Sequence, residues 1–232
     1  MCLYSPYSIR RTARLCTDVS SANVKTQTLL FKITYLGLSC LLPATQRAPP
    51  MNHRLHIRFE QLERATTRLL QMATSLGEKT HQSPGPGQWS AAQVVQHLLV
   101  AERGIEQYLE KKVLQAEGLE HAGLGATLRS GLLRVLLRLP FLRFKAPKRL
   151  AQLMPAETPP LAQLQTEWES GRRRLERLLN EFPSKLLTRA IFRHPRSGML
   201  NIYQTLDFMV DHVLHHQKQL ERISKVVKVV KL

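Results

Sequence analysis

Apolar residues recur every three or four positions along four long stretches of the chain, with polar residues between them. The first stretch is marked by Leu55, Phe59, Leu62, Leu69 and Met72. This spacing places the apolar side chains on one face of an α-helix, which we expect to end near residue 76. The other three stretches predict helices at about 91–115, 161–182 and 201–224.

Proline and glycine separate these stretches and support the predicted helix ends. The Pro/Gly-rich stretch 83–87 predicts a loop, after which Ser90 is a suitable N-cap for the second helix, with Trp89 packing just before it. Pro183 stops the third helix. Four long helices with few strand signals predict an all-α protein, a four-helix bundle.

A basic, leucine-rich insertion lies between the second and third helices, within residues 118–160. Its leucines alternate with cations: Arg129, Arg134, Arg138, Arg143, Lys145, Lys148 and Arg149. Such a helix can lie on an anionic membrane or bind a phosphate-bearing partner. We favour the alternative that it packs its leucines on the bundle while the arginines stay solvated.

The first fifty residues differ from the rest and hold six basic residues against one acid, Asp18. An atypical export or anchoring segment, a disordered basic tail and an artefact of an upstream start codon remain open as explanations. We favour the last, because Met51 opens a well-formed amphipathic run. We therefore expect residues 1–50 to be a disordered or non-native extension, residues 51–232 to form the domain, and the protein to be cytoplasmic.

The charge of the chain is its most unusual bulk property. Lys and Arg number 34 against 17 Asp and Glu, a net charge of +17, which favours acidic surfaces such as nucleic acid or anionic lipid. Aromatic residues make up only 6%, few for a base-stacking module. The three cysteines all precede Met51 and lack CxxC spacing, so neither a disulfide framework nor a thiolate zinc site is indicated.

Three histidines are the best candidates for chemistry. His212 and His216 stand four apart on the fourth helix, so one ion can contact both, although such pairs are more often packing or surface residues. His215 offers a competing pair with His212. His97 lies among apolar neighbours on the second helix, as a hydrogen-bonded core histidine would. A bundle also builds metal sites from inward side chains of facing helices, and three histidines leave open positions for substrate.

Four motifs resemble the DinB-like family in their order and separation. They are Trp89-Ser90 leading to His97-Leu98, the Phe144-Lys145-Ala146-Pro147 segment, the turn His194-Pro195-Arg196-Ser197-Gly198, and His212 with His216 and Gln219 on the last helix. Each motif is weak alone. Together they span nearly all of the chain after Met51.

The resemblance implies a four-helix bundle of the DinB/YfiT-like type, with an unusual crossing connection and a divalent metal held by three histidines. The matching positions are His97, His212 and His216. His215 falls where the family varies and is expected to flank the site. Gln219 would orient a ligand or close the pocket floor; a polar role on the helix surface is an equal alternative.

For the other polar residues the sequence supports less specific predictions. Glu102 is a candidate to accept the ring N–H of a metal-binding histidine, although it lies only marginally on the face of His97. Asp211 and the Arg172–Arg174 run are expected to face solvent. His194 is expected to cap its loop, and the remaining histidines, His53, His56, His81 and His121, are expected at the surface. The lysine- and valine-rich tail after Ser224 is either a frayed extension or a basic contact strip, and we favour the first.

The resemblance favours a metal-dependent enzyme, either a hydrolase or a thiol-dependent transferase. Zn, Ni, Fe and Mn all suit three imidazoles. The expected partners are a small-molecule substrate, with a low-molecular-weight thiol and a homodimer as options. The alternative is a non-catalytic basic helical protein that contacts nucleic acid or an anionic membrane and whose histidines are structural.

Overall fold

Five α-helices account for most of the described chain, in agreement with the predicted all-α fold. The computed structural model describes residues 51–115, 117–138 and 157–229, all within the compact unit Ala48–Leu232. The helices are α1 His53–Thr74, α2 Ala91–Leu114, α3 Leu124–Arg138, α4 Leu161–Asn180 and α5 Ile202–Val229. The predictions for residues 1–50 and for the segment 144–147 lie outside the described residues.

The long helices α1, α2, α4 and α5 surround a common apolar core. α1 packs mainly on α5 and α2 mainly on α4, while α2 also contacts α5. The predicted apolar face of α1 is buried, with Leu55, Leu62 and Leu69 fully inaccessible to solvent. Trp168 of α4 is the largest side chain in this core and is 2% exposed. The packing of α2 on α5 is what brings their histidines together.

Local sequence signals set where several helices begin and end. The Ser90 side chain accepts a hydrogen bond from the Gln93 backbone, and the Gln93 side chain accepts one from the Ser90 backbone. This capping box satisfies two backbone N–H groups at the start of α2. Asn52 caps α1 in a similar way, by accepting from the backbone of Arg54. No helix among the described residues is both long and apolar enough to cross a membrane.

Two departures from the predicted elements lie near the C-terminus. A short antiparallel hairpin precedes α5, with Phe192–His194 (β1) paired to Gly198–Leu200 (β2) in the register Phe192 opposite Leu200. Gly198 has a φ of +72°, which glycine adopts without strain. The prediction of a fraying tail was wrong, because α5 continues to Val229 and Val227 is 1% exposed in the core.

The insertion forms α3, which packs along α5. Leu133 and Leu137 face the bundle and are buried, whereas Leu132 is 60% exposed. The expectation that the leucines pack on the bundle therefore holds for one face of the helix only. The exposed face continues through Leu128 and Val135, which are also mostly exposed.

Candidate metal centre

Three histidines from two helices converge inside the bundle. His97 comes from the middle of α2, and His212 and His216 come from successive turns of α5. One potential ligand atom from each of the three lies within 4.8 Å of the others. The ring centroids are 5.4 Å apart for His97 and His212, 4.9 Å for His97 and His216, and 4.8 Å for His212 and His216. This cluster could hold a metal ion.

The two histidines of α5 point their Nε2 atoms at each other, 3.2 Å apart. The Oε1 atom of Gln219 lies 2.8 Å from Nδ1 of His216. Because an amide oxygen can only accept a hydrogen bond, this contact places the proton of His216 on Nδ1. The lone pair of His216 then lies on Nε2, which faces Nε2 of His212 inside the cluster.

All three imidazoles are held in the neutral form, which is the form that binds metals. Burial lowers the pKa of His97 to about 4 and that of His216 to about 3, each from an ordinary value of 6.5. The pKa of His212 also lies well below its ordinary value, because of burial and then of the neighbouring His216 and His97. Clustered imidazoles disfavour one another's protonation, so at neutral pH the site presents lone pairs rather than charge.

A divalent ion fits this donor set. Bonds of 2.0–2.1 Å in tetrahedral geometry place two donor nitrogens about 3.3 Å apart, close to the 3.2 Å between the Nε2 atoms of His212 and His216. The Nδ1 atom of His97 is buried and has no hydrogen-bond partner among the described residues. A buried polar atom without a partner is costly in a finished core, and a ligand that binds His97 removes part of that cost.

Aromatic side chains form the walls of the cluster. The ring of Trp89 lies 5.0 Å from that of His97, with an angle of 47° between the planes. Phe208, one turn before His212, stacks on the His212 ring at 5.4 Å and 14°. Phe208 was not singled out from the sequence, although its position four residues before His212 puts it on the same helix face. These rings restrict the motion of the imidazoles.

His194 supports the hairpin beside this wall. Its Nδ1 atom accepts hydrogen bonds from the backbone N–H groups of Arg196 at 3.2 Å and Ser197 at 3.0 Å. These contacts confirm the expected loop-capping role. The His194 ring also packs edge-on against Phe208, with centroids 4.4 Å apart, so the hairpin supports the aromatic wall of the cluster.

His215 flanks the cluster. Its ring centroid is 5.2 Å from that of His216, and its Nδ1 atom lies 3.0 Å from the backbone oxygen of Leu137 at the end of α3. The other four histidines, His53, His56, His81 and His121, are exposed as expected. Among the described residues, these four histidines take no part in the cluster of His97, His212 and His216, whereas His215 borders it.

Glu102 does not support a histidine of the cluster. Its Oε2 atom accepts hydrogen bonds from Nε1 of Trp168 at 2.8 Å and from Nη2 of Arg172 at 3.0 Å. Arg172 is 7% exposed and also forms an ion pair with Glu63, 2.7 Å from Nε to Oε1. The predicted solvent exposure of the Arg172–Arg174 run was thus wrong for Arg172. Arg174 is also engaged, in an ion pair with Glu106.

Asp211 is buried, and the prediction that it faces solvent was wrong. The residue is 2% exposed, and its two carboxylate oxygens bind Arg134 and Arg138 of α3. The two arginines stay partly solvated, as expected, since their side chains are 41% and 58% exposed while they pair with Asp211. The insertion folds back on the side of α5 that an isolated four-helix bundle would leave open to water.

Comparison with protein families supports the resemblance seen in the motifs. The sequence model of the DinB superfamily matches residues 61–220, which include all three histidines of the cluster. No curated protein and no solved structure matches the chain. The match covers well over half of the 232 residues, and the chain belongs to the DinB superfamily.

Proposed function

We propose that the protein binds one divalent metal ion through His97, His212 and His216 and is a metal-dependent enzyme, either a hydrolase or a thiol-dependent transferase. One observation carries the proposal. Three neutral imidazoles converge, with His97 and His216 buried and His212 half-buried, and the one hydrogen bond among these three described side chains joins the Nε2 atoms of His212 and His216. A packing role does not require three ring edges to meet in this way.

Three protein ligands leave coordination positions free, as in catalytic rather than structural metal sites. When bound, a divalent ion supplies Lewis acidity, which activates water or a thiol as a nucleophile at neutral pH. Gln219 fixes the tautomer of His216, so that its lone pair lies on Nε2, inside the cluster. Trp89 packs against the ring of His97 and Phe208 stacks on that of His212, which would hold these two ligands in place.

The proposal specifies only the class of reaction, hydrolysis or thiol-dependent transfer. Zn, Ni, Fe and Mn are all compatible with three imidazoles, and the substrate is a small molecule, with a low-molecular-weight thiol as one candidate co-substrate. A homodimer in the cytoplasm remains part of the hypothesis. Metal content is therefore the first quantity to establish, before any substrate is screened.

The alternative, a non-catalytic basic protein that contacts nucleic acid or an anionic membrane, has less support. Its basis is the net charge of +17 and the arginines of the insertion. Arg134 and Arg138 are engaged by Asp211, and Arg172 by Glu63 and Glu102, so these cations are not free for an external partner. Binding to nucleic acid with a steep dependence on salt would nevertheless favour this alternative.

The test is elemental analysis of the full chain, purified without a histidine tag and loaded with Zn, Ni, Mn or Fe(II). The parent is compared with the double variant H212A/H216A and with a matched control, H53A/H56A, which removes two exposed histidines from α1. We expect about one ion per chain in the parent and the control, and loss of the ion in H212A/H216A with the helical circular dichroism retained.

A parent that holds no ion after loading with each of these metals would make the three histidines structural. Equal loss of metal in both double variants would point instead to adventitious surface binding. The binding-protein alternative would then lead.

A further inference from the structure

A chain of ion pairs fastens α3 to α5 beside the histidine cluster. Arg138 binds Oδ1 of Asp211 through Nε at 3.0 Å and Nη2 at 2.9 Å, and Arg134 binds Oδ2 of Asp211 through Nε at 2.9 Å. Arg134 also reaches Asp207, one turn earlier, at 2.9 Å. Arg58 of α1 pairs with the same Asp207 at 3.0 Å. The network therefore links α1, α3 and α5.

Apolar packing alone gives α3 little attachment. Among the described side chains of α3, the buried apolar ones are Ala126, Leu133 and Leu137, whereas Leu128 and Leu132 are 77% and 60% exposed. Asp211 is almost completely desolvated, and both of its oxygens receive charged donors, so its contacts with α3 are of the strong, charge-assisted kind. The ion pairs are therefore a main attachment of the C-terminal half of α3.

The same half of α3 contacts α5 at two further points. The backbone oxygen of Leu137 lies 3.0 Å from Nδ1 of His215, and the backbone oxygen of Arg138 accepts a hydrogen bond from Nζ of Lys218. Together with Asp211, these contacts fall at positions i, i+4 and i+7 of α5 and so form one strip of the helix.

This strip lies directly beside the strip that carries the candidate site. Each of its three members, at positions 211, 215 and 218, immediately precedes a member of the site strip, at positions 212, 216 and 219. Movement of α3 away from the first strip would expose the flank of the second to water. The ring of His215 would also lose the carbonyl that holds it against His216.

We propose that Asp211, held by Arg134 and Arg138, is a positioning residue that keeps the face of α5 with His212 and His216 arranged for metal binding. This inference rests on the proposed metal site. Asp211 acts through the docking of α3 and does not itself contact the ion. Loss of the Asp211 carboxylate weakens metal binding because α3 no longer packs firmly beside the site, while the four-helix core stays folded.

The test compares D211N with D207N in the full chain. Both changes remove one carboxylate charge from α5, one turn apart, and each carboxylate is bound by two arginines. Asp207, however, lies a turn further from His216 and is joined to α1 as well as α3. The probe is Co(II), whose affinity is measured by titration and whose visible spectrum reports ligand geometry.

D211N is expected to weaken Co(II) binding by about tenfold or more, the scale of residues that orient metal ligands, and to change the Co(II) spectrum. D207N is expected to lose about as much thermal stability as D211N but to keep the Co(II) spectrum and affinity of the parent. Parent-like Co(II) binding in D211N, or equal effects of the two changes, would overturn the proposal.

The test includes a second variant, at Arg138, and a second readout that does not depend on bound metal. R138Q changes a side chain that is 58% exposed and so leaves the core intact, and R138K restores the charge without the bidentate fork. R138Q should reproduce the D211N effect, with R138K intermediate. Imidazole ¹⁵N NMR spectra of the metal-free chain should show altered His215 and His216 resonances in D211N and R138Q but not in D207N.

The two proposals fail in distinguishable ways. A parent that binds no Co(II) contradicts the metal site, and the NMR comparison of the metal-free chain then decides the positioning role of Asp211 alone. Unchanged His215 and His216 resonances in D211N would overturn that role whether or not metal binds.

Discussion

Helix α2 carries two buried polar clusters five residues apart, and they are built in opposite ways. Around Glu102, a carboxylate meets the guanidinium of Arg172 and the indole N–H of Trp168, so donors face acceptors. Around His97, three imidazoles of the same kind face one another. Both clusters contain a buried atom without a hydrogen-bond partner among the described residues, Oε1 of Glu102 and Nδ1 of His97, so the difference between them lies in the charges.

The difference separates a structural cluster from a candidate binding site. Complementary charges satisfy each other, and their joint removal from water is offset by mutual attraction. Converging imidazoles satisfy one another only in part, here through the single contact between His212 and His216, and their remaining lone pairs suit a third, electron-accepting species. Burial alone does not distinguish the two clusters, since His97 is 3% exposed and Glu102 is 9% exposed. The two clusters differ in whether their polar groups are complementary, as around Glu102, or alike, as around His97.

The largest expected effect is a pH dependence of stability caused by the histidine cluster. Above pH 6.5 the histidines are neutral in both the folded and the unfolded chain. As the pH falls towards the lowered pKa values of His97, about 4, and His216, about 3, only the unfolded chain gains protons. The free energy of unfolding of the metal-free protein should therefore drop by up to about 1.4 kcal/mol per pH unit for each histidine.

Urea unfolding between pH 7 and pH 4 measures this slope. The H212A/H216A variant should show a clearly flatter profile than the parent, and H53A/H56A should match the parent. Glu102 makes the free energy of unfolding change with pH in the opposite direction, because burial raises its pKa above 4.5 although Arg172 opposes the shift. Its contribution is fully present below pH 4.5 and is lost as the pH rises through the raised value. Equal slopes in parent and H212A/H216A would contradict the neutral histidine cluster.

The second prediction concerns Glu102. The change E102A leaves Arg172 buried without one of its carboxylates and Trp168 without its acceptor, which should lower the free energy of unfolding by about 3–5 kcal/mol. E169A is the control. Glu169 is exposed and 4.0 Å from Arg173, so its removal should change stability by less than about 1 kcal/mol. Chemical denaturation of the metal-free proteins provides both values.

The same variant also tests the separation of the two clusters. Folded E102A should bind metal in the same stoichiometry as the parent, since Glu102 contacts no histidine of the cluster. Reduced metal content in E102A, at a temperature where the protein is folded, would show that Glu102 supports His97 after all.

The smallest expected effect is that of the change Q219A on metal affinity. The change Q219A removes the acceptor of the Nδ1 proton of His216 and frees the ring to rotate or change tautomer. We expect metal affinity to fall about tenfold, with stability of the metal-free chain close to that of the parent. Competition with a chromophoric chelator measures the affinity, and Q163A, which alters an exposed glutamine of α4, is the control. Unaltered affinity in Q219A would assign Gln219 to the helix surface.

Much of the fold and the histidine set could be predicted from sequence, because both depend on local patterns. Apolar spacing located the long helices, and the Ser90 capping box fixed the start of α2. The spacing of His212 and His216 placed them on one helix face, and the resemblance to the DinB-like family favoured His97 as the third ligand over its reading as a hydrogen-bonded core histidine. What spacing could not supply was the convergence of the rings, which depends on how α2 packs against α5.

The wrong predictions concern polar residues whose partners are distant in the sequence. Arg172 stands in a run of three arginines, but successive helix positions differ by about 100°, so one of the three can point inward. Its partner Glu102 is 70 residues away. Asp211 was placed in solvent because it is adjacent to His212, and the insertion that covers it lies more than 70 residues upstream. Helical periodicity carries no information about either contact.

The short elements were missed for a different reason. β1 and β2 hold three residues each, too few to show an alternation of apolar and polar positions. The end of α5 looked like a fraying tail because lysines interrupt its valines. Val227 nevertheless reaches the core, and Lys79 donates a hydrogen bond to its backbone oxygen at 3.2 Å.

The most direct test of the central claim is X-ray absorption spectroscopy at the metal edge of the loaded full chain. The account predicts about three imidazole nitrogens at 2.0–2.1 Å for zinc, with the remaining position taken by an exchangeable oxygen ligand such as water. The H212A/H216A variant, which is expected to lose the ion, should show no metal edge after unbound metal is removed. A first shell of oxygen ligands without imidazole scattering would contradict the three-histidine site.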